Sequence, residues 1–171
     1  GLHESNEGSV IYDGRDFTRM NFETRIEIRT EIGMLFQGSA LFDSMTVQEN
    51  IMFPLNMFTE QHRKEKLERV NFCLARVNLE DKNDLYPAEL SGGMKKRVGI
   101  ARAIAMNPKY LFVDEPNSGL DPKTSIVIDD LIMELTEEYK TTTIIVTHDM
   151  NSVMGIGENI IFLHEGQKWW E

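Results

Sequence analysis

Three short apolar segments, each followed almost at once by a polar side chain, constrain the fold of this chain more than any other feature. The segments and their following residues are 32–36 with Gln37, 110–113 with Asp114, and 142–146 with His148 one residue further on. Helical patterns lie between them, and helices that separate buried strands indicate a largely parallel, wound α/β sheet. Ligands of such sheets bind at the carboxyl ends of the strands. The sequence therefore predicts an α/β fold with a polar site at that edge.

The segment Ser91-Gly92-Gly93 is the sharpest single motif. Its glycines let backbone N–H groups approach an anion closely, and the helix that follows adds a favourable partial charge. Ser91 can both cap this helix and donate to a phosphate oxygen. Three cations crowd the first turn of the helix: Lys95, Lys96 and Arg97. Because each opposes the helix dipole by about 0.3–1 kcal/mol, a docked anion would explain them; the alternative is a serine-capped helix with solvated lysines.

The polar residues at the strand ends suit phosphoryl chemistry when they are taken together. Asp114 can hold Mg²⁺, through water, while Glu115 orients or deprotonates an attacking water. A neutral imidazole at His148 can hydrogen-bond a γ-phosphate and the water beside it. Gln37 stands at a strand end, before a helical insertion. Each residue alone also fits ordinary turn or loop chemistry, so the argument depends on their combination.

Composition and charge exclude several classes of function. The net charge of −10 argues against a nucleic-acid binder, because phosphate contacts need a basic surface. Cys73 is the one cysteine of the chain, lies on a helical pattern and is predicted to fill the core. One cysteine with scattered histidines cannot build a tetrahedral zinc site. No apolar run approaches the roughly 18 residues of a membrane-spanning helix, so membrane association is expected to require a partner.

Local patterns predict where several elements begin and end. Thr46 and Glu49 match a capping box that opens a helix, and Pro54 is expected to limit it. Thr59 can cap the next helix, which carries an apolar stripe. The members of this stripe are Leu67, Val70, Leu74 and Val77. Later predictions are a helix over 94–106, a helix from Asp121-Pro122 to about Tyr139, a short helix over 150–155 and a last strand over 159–163.

These motifs resemble, in order and approximate spacing, those of the nucleotide-binding subunits of ABC transporters, from Gly8 to Gln167. The resemblance implies a P-loop NTPase (RecA-like) core with a largely parallel sheet and an inserted helical subdomain. It assigns residues 1–37 and 107–171 to that core and residues 38–106 to the helical signature subdomain.

The resemblance also implies a role for each motif. Gln37 is the Q-loop glutamine, residues 91–94 form the signature motif, Asp114-Glu115 is the Walker B pair, residues 118–121 form the D-loop and His148 is the switch histidine. The implied catalytic residues are Glu115, His148 and Gln37. The implied ATP contacts are Ser91, Gly92, Gly93 and Asp121, and the implied Mg²⁺ ligands are Asp114 and Gln37.

The resemblance further implies partners and a location. In the family two ATPase subunits pack head to tail with ATP between them, and closure of this dimer drives a transmembrane permease at the cytoplasmic face of the inner membrane. Residues 42–58 are the candidate contact with the permease. The segment 33–45, together with Met94, resembles the Mla-type branch, which moves phospholipids between bacterial membranes. Nucleic acid is not an expected partner.

The phosphate-binding pattern G-x-x-x-x-G-K-[ST] does not occur in residues 1–171. A short strand over 9–12, closed by the Asp13-Gly14 turn, is predicted near the start of the sequence. In the family the Walker A loop precedes this strand, so the N-terminal part of the core is expected to be missing. Without its amides and lysine the β- and γ-phosphates lose their main cradle. We therefore expect that the chain by itself neither binds MgATP tightly nor hydrolyses it. We also expect self-association, which would cover the sheet surface left open.

Two other classes of function remain open at this point. An ABC-type ATPase without a transporter could act on DNA or ribosomes, but Gln37 and Ser91 lie only 54 positions apart (91 − 37), which leaves no room for a long coiled coil. Ribosome-acting members pair two such domains, and one is visible here. A non-catalytic interaction module could lack the phosphate loop natively, although Glu115 and His148 would then be unexplained.

Overall fold

The computed structural model describes residues 5–170. In chain order their elements are β1 (Ile11–Tyr12), β2 (Arg15–Asp16), α1 (Phe22–Thr30), β3 (Ile32–Leu35), α2 (Val47–Phe58), α3 (Arg63–Arg76), α4 (Gly92–Ile104), β4 (Tyr110–Asp114), α5 (Pro122–Tyr139), β5 (Thr142–Val146), α6 (Met150–Ile156), β6 (Phe162–His164) and β7 (Gln167–Trp170). Short 3-10 turns cover Phe17–Arg19 and Pro87–Glu89. No helix among these residues is long and apolar enough to span a bilayer.

The central sheet is parallel, with the strand order β3-β4-β5. Gly33 lies opposite Leu111 in the first pair, and Val113 lies opposite Ile145 in the second. This arrangement confirms the predicted parallel α/β fold. Because the three strands run in the same direction, the residues that follow them meet at one edge.

Helix α4 lies directly on β3 because a glycine permits the close approach. A Cβ atom at Gly33 would come within 2.4 Å of the carbonyl oxygen of Ala103, a contact that any other residue would have to relieve. On the same face Gly99 meets Leu35 of β3, and Ile100 and Ile104 of α4 are buried. This packing also brings the polar residues of that face under the edge of the sheet.

Helices α2, α3 and α4 form a layer with a shared apolar core, and α4 connects this layer to the sheet through β3. The capping box of α2 is present as predicted, because the Thr46 N–H donates to Glu49 Oε2 at 2.8 Å and Thr46 Oγ1 accepts from the Glu49 N–H at 3.3 Å. Cys73 is fully buried in this core. Burial raises the pKa of its thiol to about 11, which fits the predicted packing role.

Two predicted helix boundaries in this layer are wrong. Pro54 lies inside α2, which continues to Phe58, because Leu55 beyond it is buried in the core and its packing offsets the lost hydrogen bond. Thr59 does not open α3. It ends α2 instead, where its hydroxyl donates to the Leu55 carbonyl at 2.7 Å, and α3 begins at Arg63 after His62.

The end of the chain differs from the prediction as well. The expected strand over 159–163 is displaced to Phe162–His164 and pairs with β7 in an antiparallel ribbon outside the central sheet. The sequence of a short strand such as 159–163 does not by itself specify which other strand it will pair with. The remaining elements agree closely: α5 and β5 have the predicted bounds, and α4 begins and ends two residues before the predicted helix.

Candidate functional site

Glu115 and His148 meet at the carboxyl edge of the sheet. Glu115 Oε1 lies 2.8 Å from His148 Nδ1. The Glu115 side chain is 18% exposed, whereas that of His148 is 84% exposed. The hydrogen bond to Glu115 raises the pKa of His148, and the negative charges of Glu115 and Asp149 act in the same direction. The pair can therefore hold a proton between them at the surface of the sheet edge.

Gln37 faces the same edge from the end of β3. Its Nε2 donates to Ser118 Oγ at 3.4 Å, a long hydrogen bond. Ser118 in turn donates from its backbone N–H to the Glu115 carbonyl at 3.2 Å. Three of the predicted motifs thus lie together: the glutamine after β3, the acidic pair after β4 and the histidine after β5.

The backbone at Glu115 is left-handed, with φ of +47°. This conformation is uncommon for a residue with a side chain and clusters at functional sites. It is held by a hydrogen bond from the Glu115 N–H to the Val146 carbonyl at 2.8 Å. The Glu115 carbonyl also accepts from Lys96 Nζ at 2.9 Å. At Glu115 the backbone leaves the strand direction, and the Glu115 side chain reaches His148.

The Ser91-Gly92-Gly93 segment begins α4, as predicted. Ser91 Oγ accepts from the Met94 N–H at 3.3 Å and so caps the helix. A Cβ atom at Gly93 would come within 2.8 Å of Thr124 Cγ2, so the turn packs closely against the first turn of α5. The hydrogen bonds of residues 5–170 do not join Ser91 to Glu115 or His148. The signature segment and the carboxyl edge are separate groups in one chain.

Asp121 is the N-cap of α5. Its carboxylate accepts from the N–H groups of Lys123 and Thr124, both at 3.1 Å, and from the Thr124 hydroxyl at 2.5 Å. The Thr124 side-chain hydrogen bond is the main cause of its lowered pKa. Asp121 therefore stabilises a helix start beside Gly93, and its contact with ATP stays a prediction.

The three cations after the signature segment do not share one explanation. Lys96 points inward, where it is 4% exposed and donates to the carbonyls of Gln37 and Glu115. Its charge therefore meets backbone oxygens, and the anion invoked from the sequence does not explain it. Lys95 and Arg97 are half-buried.

Asp114 and Gln37 provide the donor set of the predicted Mg²⁺ site. The Asp114 carboxylate ends β4, is half-buried and accepts no hydrogen bond from a described side chain. The Gln37 nitrogen contacts Ser118, which leaves its amide oxygen available. No group of three or more His, Cys, Asp or Glu side chains among residues 5–170 could enclose a metal. This sparse oxygen set fits Mg²⁺, which keeps several waters and uses one or two carboxylates together with substrate phosphates.

A buried polar network lies behind the site and was not predicted. Asn117 Nδ2 donates to Asp129 Oδ1 and to Ser152 Oγ, and Ser152 Oγ donates to Asp129 Oδ2, all at 2.8 Å. The network joins the turn after Glu115 to α5 and α6. One feature of the sequence could have revealed this network: Asp129 is a polar residue between Ile128 and Ile132 on the buried face of α5. Lys96 shows the same feature in the buried stripe of α4.

Comparison with protein families finds a match over residues 1–118 to the family described as ABC transporter. The chain is 41% identical over 166 residues to methionine import ATP-binding protein MetN 1 of Pseudomonas putida, which covers 97% of this chain and 50% of that protein. It spans about half the length of the curated relatives it matches. Because these relatives are named for methionine import as ATP-binding proteins, they support neither the predicted phospholipid branch nor the expected inactivity.

Two solved structures are similar over nearly the whole chain. One is the ATP-binding cassette MJ0796, a dimer in a post-hydrolysis state bound to ADP and Pi, with a TM-score of 0.87 and 35% identity over 99% of this chain and 74% of that one. The other is cbiO1 from Clostridium perfringens, part of the ABC transporter complex cbiONQ, with a TM-score of 0.87 and 32% identity over 97% of this chain and 66% of that one.

Proposed function

The chain belongs to the ABC transporter family of ATP-binding domains, and we propose that it forms the ATP-binding and ATP-hydrolysing part of a subunit that energises transport. The observation that carries this proposal is the contact between Glu115 and His148 at the sheet edge, with Gln37 one hydrogen bond away from the same turn. Residues 1–37 and 107–171 would form the RecA-like core, and residues 38–106 the helical subdomain. Residues 1–4 and 171 lie outside the described structure.

Each proposed role follows from the chemistry of the side chain at its position. The Glu115 carboxylate orients the attacking water and accepts its proton, because it is largely shielded and held in place by its backbone contacts. His148 steadies that carboxylate through Nδ1 and presents its other ring nitrogen to the γ-phosphate. Asp114 and Gln37 would hold Mg²⁺, which would supply positive charge to neutralise the phosphate oxygens.

The signature segment would serve a second subunit. Ser91 and Gly92 are exposed at the start of α4, where the first N–H groups of a helix have no partner within it and favour an anion. In a head-to-tail dimer this segment, with Asp121 nearby, would contact the ATP held by the partner. The dimeric state of the similar cassette bound to ADP and Pi supports this arrangement.

Residues 42–58 would contact the permease, which would place the subunit at the cytoplasmic face of the inner membrane. Three large apolar side chains in this range are exposed: Phe42, Met57 and Phe58. Such a group suits a protein partner. We propose methionine as the imported substrate, since the relatives are named for methionine import.

The decisive experiment measures phosphate release by the native gene product purified with its permease. Glu115→Gln should lower kcat about 10²–10⁴-fold while ATP still binds, because the amide cannot accept the proton. Glu137→Gln, on the exposed face of α5, is the matched control and should retain full activity. Wild-type protein that binds its permease but never hydrolyses ATP would favour the non-catalytic interaction module instead.

A further inference from the structure

We propose that Lys96 is a positioning residue, which sets Glu115 and Gln37 relative to each other and to α4. This inference rests on the proposed function, since it assigns a role within the same site. The Lys96 ammonium lies under the sheet edge, where it donates to the carbonyls of both residues. These carbonyls follow the ends of two neighbouring strands, β3 and β4. One side chain therefore connects the signature helix to two of the strand-end motifs.

Stability alone does not account for a lysine at this position. Lys96 is almost fully buried on the face of α4 that otherwise carries Ile100, Ala103 and Ile104. Removing an ammonium from water is costly unless polar partners compensate it. Well-packed apolar residues of similar volume often replace buried charges with no loss of stability. A methionine could fill the same space, so the charge is explained better by what it holds.

The Glu115 backbone shows what is held. Its left-handed conformation is secured at three points: the N–H bonds to Val146, and the carbonyl accepts from Ser118 and from Lys96. The first two contacts belong to strand pairing and to the turn itself. Lys96 supplies the side-chain contact, and it reaches this carbonyl from a different layer of the fold. Without it the carbonyl would keep only a 3.2 Å hydrogen bond within its own turn.

The loop after β3 is held from α4 in the same way. Arg102 donates to the carbonyls of Ser39 and Ala40, at 2.6 and 2.8 Å, and both residues have positive φ. Two cations six residues apart on α4 (102 − 96) thus hold the loop over residues 37–40. Of these two cations, Lys96 alone also reaches the residue after β4. Lys96 is therefore the link between Gln37 and Glu115, whereas Arg102 supports only the first.

The test reads the contact between Glu115 and His148 in the 171-residue chain and needs no ATP. The pKa of His148 is followed by NMR in the wild type, Lys96→Met, Lys96→Arg and Lys95→Met. The groups that act on this imidazole are Glu115 and its neighbour Asp149. Lys96→Met should bring the pKa of His148 down towards the ordinary value of about 6.5, because Glu115 leaves its position. Lys96→Arg should keep it raised, since a guanidinium can donate to two carbonyls.

The Lys95→Met chain is the matched control, one residue away on the same helix, and should titrate like the wild type. An unchanged His148 pKa in a folded Lys96→Met chain overturns the proposal. If Lys96→Met does not fold, ¹⁵N-lysine labelling of the wild type decides: the Lys96 ammonium should give a resolved signal in slow exchange with water. Its absence would overturn the proposal equally.

A separate arm uses the native gene product. Lys96→Met should lower kcat at least tenfold and change the KM for ATP less than about twofold, because positioning of the base affects the reaction more than binding. A merely structural lysine would instead change the amount of folded protein and leave kcat per active molecule unchanged. If Glu115→Gln leaves hydrolysis intact while Lys96→Met still shifts the His148 pKa, the proposed function fails and the positioning role stands.

Discussion

In the central sheet, the side formed by β3 and β4 is packed differently from the side formed by β5, and the candidate site lies where the two meet. On the side of β3 and β4, α4 packs closely, and Leu35, Leu111 and Val113 are buried. On the other side, no residue of β5 is buried, and Ser152 is the one buried residue between 142 and 170. Glu115 belongs to the packed side and His148 to the open side. Glu115, the proposed base, therefore follows a packed strand, whereas His148 follows a strand without a buried residue.

The largest expected effect tests this contrast directly, with the same substitution on each side. Ile104→Ala should lower the free energy of unfolding by about 2–5 kcal/mol, because Ile104 is 1% exposed in the core. Ile144→Ala should cost less than about 1 kcal/mol, because Ile144 is 45% exposed on β5. Urea unfolding of the two variants measures the difference. Equal losses would show that the open side is covered in solution.

The next effect concerns the network that joins the two sides. Asp129→Ala should lower the free energy of unfolding by about 1–3 kcal/mol, because it leaves Asn117 and Ser152 buried without their shared acceptor. Asp130→Ala is the control, since Asp130 is exposed on the same helix. If both variants unfold at the same urea concentration, the network does not connect the sides energetically.

The open side should also govern association of the 171-residue chain. The outer edge of β5 has no partner strand among residues 5–170, and Ile144 and Val146 are exposed. An exposed edge of this kind pairs with other chains unless a charge blocks it. We expect sedimentation to show oligomers of the wild type and a shift towards monomer in Val146→Lys. Glu68→Lys, on the exposed face of α3, adds a lysine to a helix that packs on α2 and α4 and should leave the oligomers unchanged.

The smallest effect is a dependence on pH. Because its contact with Glu115 raises the pKa of His148 above the unfolded value, the stability it contributes is fully present below about pH 6.5. It is lost as pH rises through the folded pKa. Glu115→Gln should abolish this part of the pH dependence in urea unfolding, whereas His62→Gln, far away at the start of α3, should preserve it. A wild type whose free energy of unfolding does not change as the pH rises above about 6.5 would contradict the contact between His148 and Glu115.

The sequence is enough to predict the parts of the fold that repeat a local rule. Ser91, Thr46 and Asp121 cap their helices as expected, and the three strand ends meet as parallel pairing requires. Whether α2 ends at Pro54 could not be predicted correctly, because the burial of Leu55 beyond it is a property of the tertiary structure. That the last predicted strand pairs with β7 could not be predicted from the sequence either.

The candidate site shows the same limit. Gln37, Glu115 and His148 could be predicted because each follows an apolar strand. The sequence associates Lys96 with an anion, because it shows where the lysine lies relative to the helix dipole but not that its side chain is buried. The network around Asp129 was missed, although a carboxylate between Ile128 and Ile132 is a visible exception to an apolar stripe.

The left-handed backbone at Glu115 sets two selective demands against each other at one residue. Folding by itself would favour glycine there, which adopts this conformation without steric cost. A glycine would close the same turn but leave His148 without its contact with Glu115 and the site without its proposed base. Under the proposed function, a change of residue 115 to glycine would ease folding at the expense of the chemistry, so the two demands act on this position in opposite directions.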